Sequence, residues 1–214
     1  MSAAPRRLLL PRGQRRERDF YPTPVWATVS FLKHPAVFEA LESRPFLFAD
    51  PCCGDGAIAD AIVALRRKYG GTQKHEVCLS DIEPGARAVE RYGAHVENFL
   101  GDIVTTDVVD ICLTNPPFSW SLEFVQRATQ VYPVTAMLLP LSFLESAKRA
   151  AWLRAHPPTL YVHPNRIDFI GKSAPFGCAW FVWRGPEELW DYTNKVLEGF
   201  IDGEVHILEE VRNG

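Results

Sequence analysis

A chain of 214 residues, 47% hydrophobic and 23% charged, has the size and composition of one α/β domain and leaves little room for a second module. Apolar runs such as 131–143 contain proline and are too short to span a bilayer, and the three leucines after Arg6 and Arg7 make no signal-peptide core; a cytoplasmic protein is expected. The net charge of −3 is uneven: residues 1–24 carry six arginines against Glu17 and Asp19, a net +4, and 187–214 carry a net −6.

Residues 1–18 are expected to form a flexible basic arm, and 19–214 a single domain. Such an arm suits phosphate neutralisation, and it equally suits a solvated tail. The five cysteines (Cys52, Cys53, Cys78, Cys112 and Cys178) include no C-x-x-C pair, which points to reduced core thiols and to no disulfide or metal site.

Strand-like and helix-like segments alternate from residue 46. In chain order they are a strand over 46–50, a helix over 57–68, a strand over 76–80, a short helix over 84–91 and a strand over 94–97. A strand over 108–114, a helix over 121–131, a strand over 134–140 and a helix over 143–156 follow. Strands over 159–162 and 178–183 close the series, joined by a long loop. Alternation of this kind implies a mostly parallel sheet with helices on both faces, whose ligands sit outside the C-terminal strand ends. Trp180 and Trp183 are expected in the core, and His95, His156 and His163 show no partner pattern and receive no role.

Asp50-Pro51-Cys52-Cys53-Gly54-Asp55-Gly56 follows the first strand and opens a helix. Its glycines permit a tight turn and close approach of a ligand to the backbone. A carboxylate at Asp50 suits an ammonium group, Asp81 ends the second strand where acids receive ribose hydroxyls, and Asp102-Ile103 follows the third, suited to an adenine. Each aspartate alone reads more readily as a helix cap or a solvated turn; three at successive strand ends favour a nucleoside-bearing cofactor.

Asn115-Pro116-Pro117-Phe118 ends the fourth strand. Two prolines cannot continue a ladder, so the chain leaves the sheet in a stiff turn that fixes Asn115 and offers Phe118 for stacking. The Asn115 side-chain carbonyl and the Pro116 backbone carbonyl are the natural acceptors for the protons of a planar amine or amide, while alignment and electrostatics supply most of the catalysis. In the loop over 164–177, Arg166 and Lys172 suit phosphate, and Phe169 or Phe176 suits a wedge or stacking face; an ordinary polar loop with an aromatic anchored in the core reads equally well.

In this order, these segments resemble the N6-adenine DNA methyltransferases, in particular their small phage-type members. Asp19-Phe20-Tyr21-Pro22-Thr23-Pro24 looks like that family's segment folding over the methionine part of S-adenosylmethionine, and 173–183 is similar to its hairpin bordering the target base. The resemblance runs from about residue 19 to 184 and implies a class I, Rossmann-like fold with a seven-stranded sheet and an antiparallel last strand. It implies S-adenosylmethionine bound by Tyr21, Pro22, Thr23, Asp50, Pro51, Cys52, Gly54, Gly56, Asp81, Ile82, Asp102, Ile103 and Asn115, with Asn115, Pro116, Pro117 and Phe118 catalytic. DNA is the implied partner, with Phe118 stacking on a base turned out of the helix, and Arg166, Lys172 and Phe176 are the candidate nucleic-acid contacts of the second loop. No separate target-recognition domain is expected from these 214 residues, which is compatible with short specificity, a single-stranded substrate or a partner subunit. Asn-Pro-Pro-Phe is shared by enzymes acting on RNA bases and on protein glutamine, so those acceptors, and a catalytically silent cofactor-binding subunit, are the rival readings. The glutamine enzymes usually carry a sizeable helical domain ahead of residue 45, and none is expected here.

Overall fold

The computed structural model describes residues 22–101, 109–169, 176–190 and 192–209, the last stretch by backbone alone at 192–194. Two eight-residue helices, α1 (Val25–Leu32) and α2 (Pro35–Glu42), precede the first strand. The alternation pattern does not anticipate them. Valine, threonine and aromatic side chains in α1 are mediocre helix formers, and six of its eight residues are buried, so no polar stripe marks it. Packing against the sheet decides its conformation, and the Trp180 indole donates to the Ala27 carbonyl at its core. Proline at the first position of α2 presets the helical φ there.

The strands are β1 (Leu47–Asp50), β2 (Glu76–Asp81), β3 (His95–Val96), β4 (Ile111–Thr114), β5 (Val134–Pro140), β6 (Thr159–Val162), β7 (Cys178–Arg184) and β8 (Val205–Ile207). They form one sheet in the order β3-β2-β1-β4-β5-β7-β6-β8. β7 runs antiparallel to both β5 and β6, and every other pairing is parallel. Among the described residues the sheet thus has eight strands where seven were expected. In β8, Val205 and Ile207 are more than 60% exposed, so the strand carries no core pattern to read.

The connecting helices are α3 (Ala57–Lys68), α4 (Arg87–Tyr92), α5 (Ser121–Val131) and α6 (Ala147–Ala155). α4 starts three residues later than expected, after a turn at Pro84-Gly85. The expected helix over 143–156 is divided into a 3-10 turn (Leu141–Leu144) and α6, and Arg149 pins the junction through the carbonyls of Ser142 and Phe143.

One core layer joins α1, α2 and α3 to Phe48, Leu113, Leu138, Tyr161 and Trp180. The opposite layer joins α5 to Cys112, Met137, Phe181 and Trp183. Trp180 and Trp183 are buried as expected. Of the five free cysteines, Cys53, Cys112 and Cys178 are buried and Cys52 half-buried, but Cys78 is exposed, which corrects the expectation of core thiols throughout. Among the described residues, no helix is long and apolar enough to cross a membrane.

Candidate cofactor and acceptor site

Strand order reverses between β1 and β4, so the ends of these two strands form the crevice where ligands bind in open α/β sheets. The glycine loop leaves β1 and the Asn-Pro-Pro-Phe turn leaves β4. The sequence places them 64 residues apart, and the sheet makes them neighbours.

The loop is held rigidly. Gly54 and Gly56 have φ of +51° and +85°, in the left-handed region that favours glycine. A Cβ on Gly56 would lie 2.5 Å from the Tyr92 ring, so the position is closed by space as well as by backbone. Amides of the loop are tied to β2: Cys53 N donates to the Ser80 carbonyl at 3.1 Å and Gly54 N to Asp81 Oδ2 at 2.9 Å. Ala88 N of α4 donates back to the Gly54 carbonyl. On α3, Asp60 accepts both Arg91 guanidinium nitrogens, at 2.7 and 2.9 Å, and the Tyr92 hydroxyl, which locks α4 beside the loop.

Asp81 is fully buried, and its two oxygens accept Gly54 N and Glu83 N. Its observed work is to shape the loop; a carboxylate oxygen has a second lone pair, so a ribose contact is compatible with that geometry. Asp50 is 1% exposed, and its Oδ1 accepts the Thr114 hydroxyl at 2.7 Å and Cys52 N at 3.3 Å. Burial pushes its pKa up to about 7, the two hydrogen bonds pull the other way, and Asp81 and Asp55 raise it further.

Thr23, 8% exposed, lies against the Asn-Pro-Pro-Phe turn: Asn115 Nδ2 donates to Thr23 Oγ1 at 2.9 Å across 92 residues of sequence. Pro117 is extended, and Phe118 opens a 3-10 turn (Phe118–Trp120) that runs into α5. Phe118 meets Phe176 edge-on at 5.7 Å and Phe169 at 6.5 Å between ring centroids. A cleft of about 740 Å³ opens beside this site, bounded by Pro22–Val25, by Asp55, Ala57 and Asp60, by Arg87, Glu90 and Arg91 of α4, and by Phe169.

The structure thus brings together Thr23 with Asn115, Asp50 with the residue preceding Asn115, Gly54 with Asp81, and Phe118 with Phe176. Pro51 and Pro116 are buried, and Ile82 is half-buried directly after β2. Arg166 is exposed after β6. Tyr21, Asp102, Ile103, Lys172 and the basic arm lie outside the described residues. Sequence reading missed Thr114, whose signal is a hydroxyl ending a strand beside a buried acid, and Tyr92, which closes over Gly56.

No protein-family model matches the chain, and a search of curated proteins finds no match. Solved structures do match. A Listeria monocytogenes protein assigned to the class I S-adenosylmethionine-dependent methyltransferases aligns over 89% of this chain and 74% of its own, with a TM-score of 0.59 and 10% identity. A Pyrococcus horikoshii protein assigned as an RNA methyltransferase aligns over 72% of this chain and 85% of its own, at a TM-score of 0.52 and 15% identity. The methyltransferase subunit of a type I restriction-modification system from Streptococcus thermophilus aligns over 76% of this chain and 43% of its own, at 0.50 and 16%. The fold is the Rossmann-like class I methyltransferase fold. At these identities the likeness is one of architecture.

Proposed function

We propose that this protein transfers a methyl group from S-adenosylmethionine to the exocyclic N6 of adenine in DNA. The observation that carries the reading is the junction of the two strand ends: the Thr114 hydroxyl bonds Asp50 in the glycine loop while the next residue, Asn115, is anchored on Thr23. Cofactor loop, overlying segment and acceptor turn therefore form one connected site, in the arrangement that the resemblance to N6-adenine methyltransferases implies.

The donor set fits the cofactor. A buried carboxylate whose pKa is raised to about 7 is the complement of an ammonium group, which would return it to the ionised form. Asp50 and the Gly54–Gly56 loop would hold the methionine part, Pro22 and Thr23 would cover it, and Asp81 and Ile82 would border the ribose and adenine. When bound, the sulfonium supplies an electrophilic methyl. The chain's own contribution is alignment. Fixing the Asn115 NH2 on Thr23 sets the direction of the amide oxygen, which accepts one proton of the incoming amine, while the Pro116 carbonyl accepts the other. Those two bonds draw the nitrogen lone pair out of conjugation and toward the methyl. Phe118, braced by Phe169 and Phe176, stacks on the base turned out of its helix.

Two of the fold neighbours are described as an RNA methyltransferase and a restriction-modification subunit, in accord with a nucleic-acid acceptor. The test is transfer of labelled methyl from S-adenosylmethionine to duplex DNA, single-stranded DNA, RNA and extract protein, followed by nucleoside and amino-acid analysis. Label in N6-methyladenine from DNA is the expected result. Label in RNA or in glutamine would overturn the acceptor and keep the chemistry; no label with measurable cofactor binding would indicate a silent subunit.

A further inference from the structure

The residues assigned above to the cofactor leave one of its groups unmatched. S-adenosylmethionine carries a carboxylate beside its ammonium group, and at pH 7 that carboxylate is ionised. An anion of this kind is held by backbone N–H groups or by a cation. The glycine loop brings its backbone close to the methionine part, but its amides are already committed. Cys52 N donates to Asp50 Oδ1, Cys53 N to the Ser80 carbonyl, Gly54 N to Asp81 Oδ2, Gly56 N to the Cys53 carbonyl and Ala57 N to Asp55 Oδ1. With those hydrogens spent inside the loop or on β2, the carboxylate falls to a charged side chain.

Two arginines line the cleft that Pro22 and Thr23 border, and their situations differ. Arg91 is spent: its terminal nitrogens lie on Asp60 at 2.7 and 2.9 Å, and its guanidinium sits 4.7 Å over the Tyr92 ring. Arg87 is exposed, and among the described residues it has no hydrogen-bond or ion-pair partner. Its backbone is nevertheless fixed against the loop, because it opens α4 and the next amide, Ala88 N, donates to the Gly54 carbonyl at 3.0 Å. The other charged groups of the lining are Asp55, Asp60 and Glu90, so its formal charge is −1. That balance complements a cofactor whose ammonium, sulfonium and carboxylate leave one net positive charge.

We infer that Arg87 is the cation that binds the carboxylate of S-adenosylmethionine, at the end of the cleft bordered by Pro22 and Thr23. The planar guanidinium presents paired N–H donors to the two carboxylate oxygens, a match that a lysine ammonium lacks. Asp50 and Arg87 then divide the zwitterion between them, the acid taking the ammonium and the arginine the carboxylate. This assignment rests on the cofactor reading above and is independent of the acceptor.

The experiment titrates wild type, Arg87→Gln and Arg87→Lys calorimetrically with S-adenosylmethionine and with its decarboxylated analogue, which keeps the ammonium and the sulfonium. Arg87→Gln should raise the Kd of S-adenosylmethionine about tenfold and leave that of the analogue within about twofold, and Arg87→Lys should recover part of the loss. The melting temperature of unliganded Arg87→Gln should match wild type, since the exposed side chain gives up no bond among the described residues. An unchanged Kd for S-adenosylmethionine in Arg87→Gln overturns the assignment. So does an equal rise for both ligands, which marks a disturbed loop and not a lost charge pair. Either result leaves the Asp50 site and the methyltransferase reading intact; a wild type that binds no S-adenosylmethionine overturns both.

Discussion

Thr114 Oγ1 donates to Asp50 Oδ1 at 2.7 Å, across the seam where the sheet reverses its strand order. One of the two groups holding a buried carboxylate therefore comes from the residue that precedes the acceptor turn. Replacing Thr114 by valine keeps the shape and removes the donor. Thr114→Val should cost about 1–3 kcal/mol at pH 8, where Asp50 is ionised, and less at pH 5, where it is protonated. Thermal unfolding at the two pH values measures this; equal losses at both would mean that the bond does not sense the charge.

Asp50 should also make cofactor binding depend on pH. Its pKa is raised in the folded protein, so between about pH 4 and 7 the native state holds a proton that the unfolded chain has lost. In that window the unliganded protein loses stability from this group as pH rises, and above about 7 the contribution levels off. An ammonium beside Asp50 requires the ionised form. Binding of S-adenosylmethionine at pH 6 should therefore release close to one proton, with affinity about tenfold below its plateau at pH 8. Titration calorimetry in buffers of different ionisation enthalpy counts the proton, and finding none released would remove Asp50 from the ammonium site.

Gly56→Ala should be harmful twice over. The left-handed φ of +85° costs an alanine about 1–2 kcal/mol, and the new Cβ meets the Tyr92 ring. Tyr92→Ala relieves the second cost but not the first, so the double variant should be less damaged than the sum of the two single ones. A double-mutant cycle in melting temperature and cofactor Kd tests this; strict additivity would show that the ring and the loop are uncoupled.

Asn115→Ala should lower the rate of methyl transfer by at least about a hundredfold and leave cofactor affinity within a few-fold. Thr23→Val, which removes only the anchor of the Asn115 amide, should cost about tenfold in the same single-turnover assay. Full activity in Asn115→Ala would contradict the acceptor chemistry proposed here.

The elements legible in the sequence were those whose pattern is local. The bounds of α3, α5, β5 and β6 agree with their apolar periodicity, and the glycine loop and the Asn-Pro-Pro-Phe turn stand where such breakers end a strand. α1 was not legible, because burial on nearly every side erases a helical stripe, and neither was β8, whose two apolar residues face outward. At the site, residue types announced Asp50 and Asn115. The bonds that orient them come from Thr114 and Thr23, and a hydroxyl carries no sign of what it will meet 64 or 92 residues away.

The placement of β7 between β5 and β6 sets an order for assembly. Among the described residues β6 pairs with β7 and β8, both of which follow it in the chain. As the polypeptide emerges, Thr159–Val162 waits with both edges open, and β5 keeps an uncovered edge, until residue 178 and its successors arrive. Open apolar edges are sticky, so a nascent or prematurely ended chain stopping short of β7 is a candidate for chaperone capture or aggregation. Completion of the sheet is therefore a late event, governed by the last third of the chain.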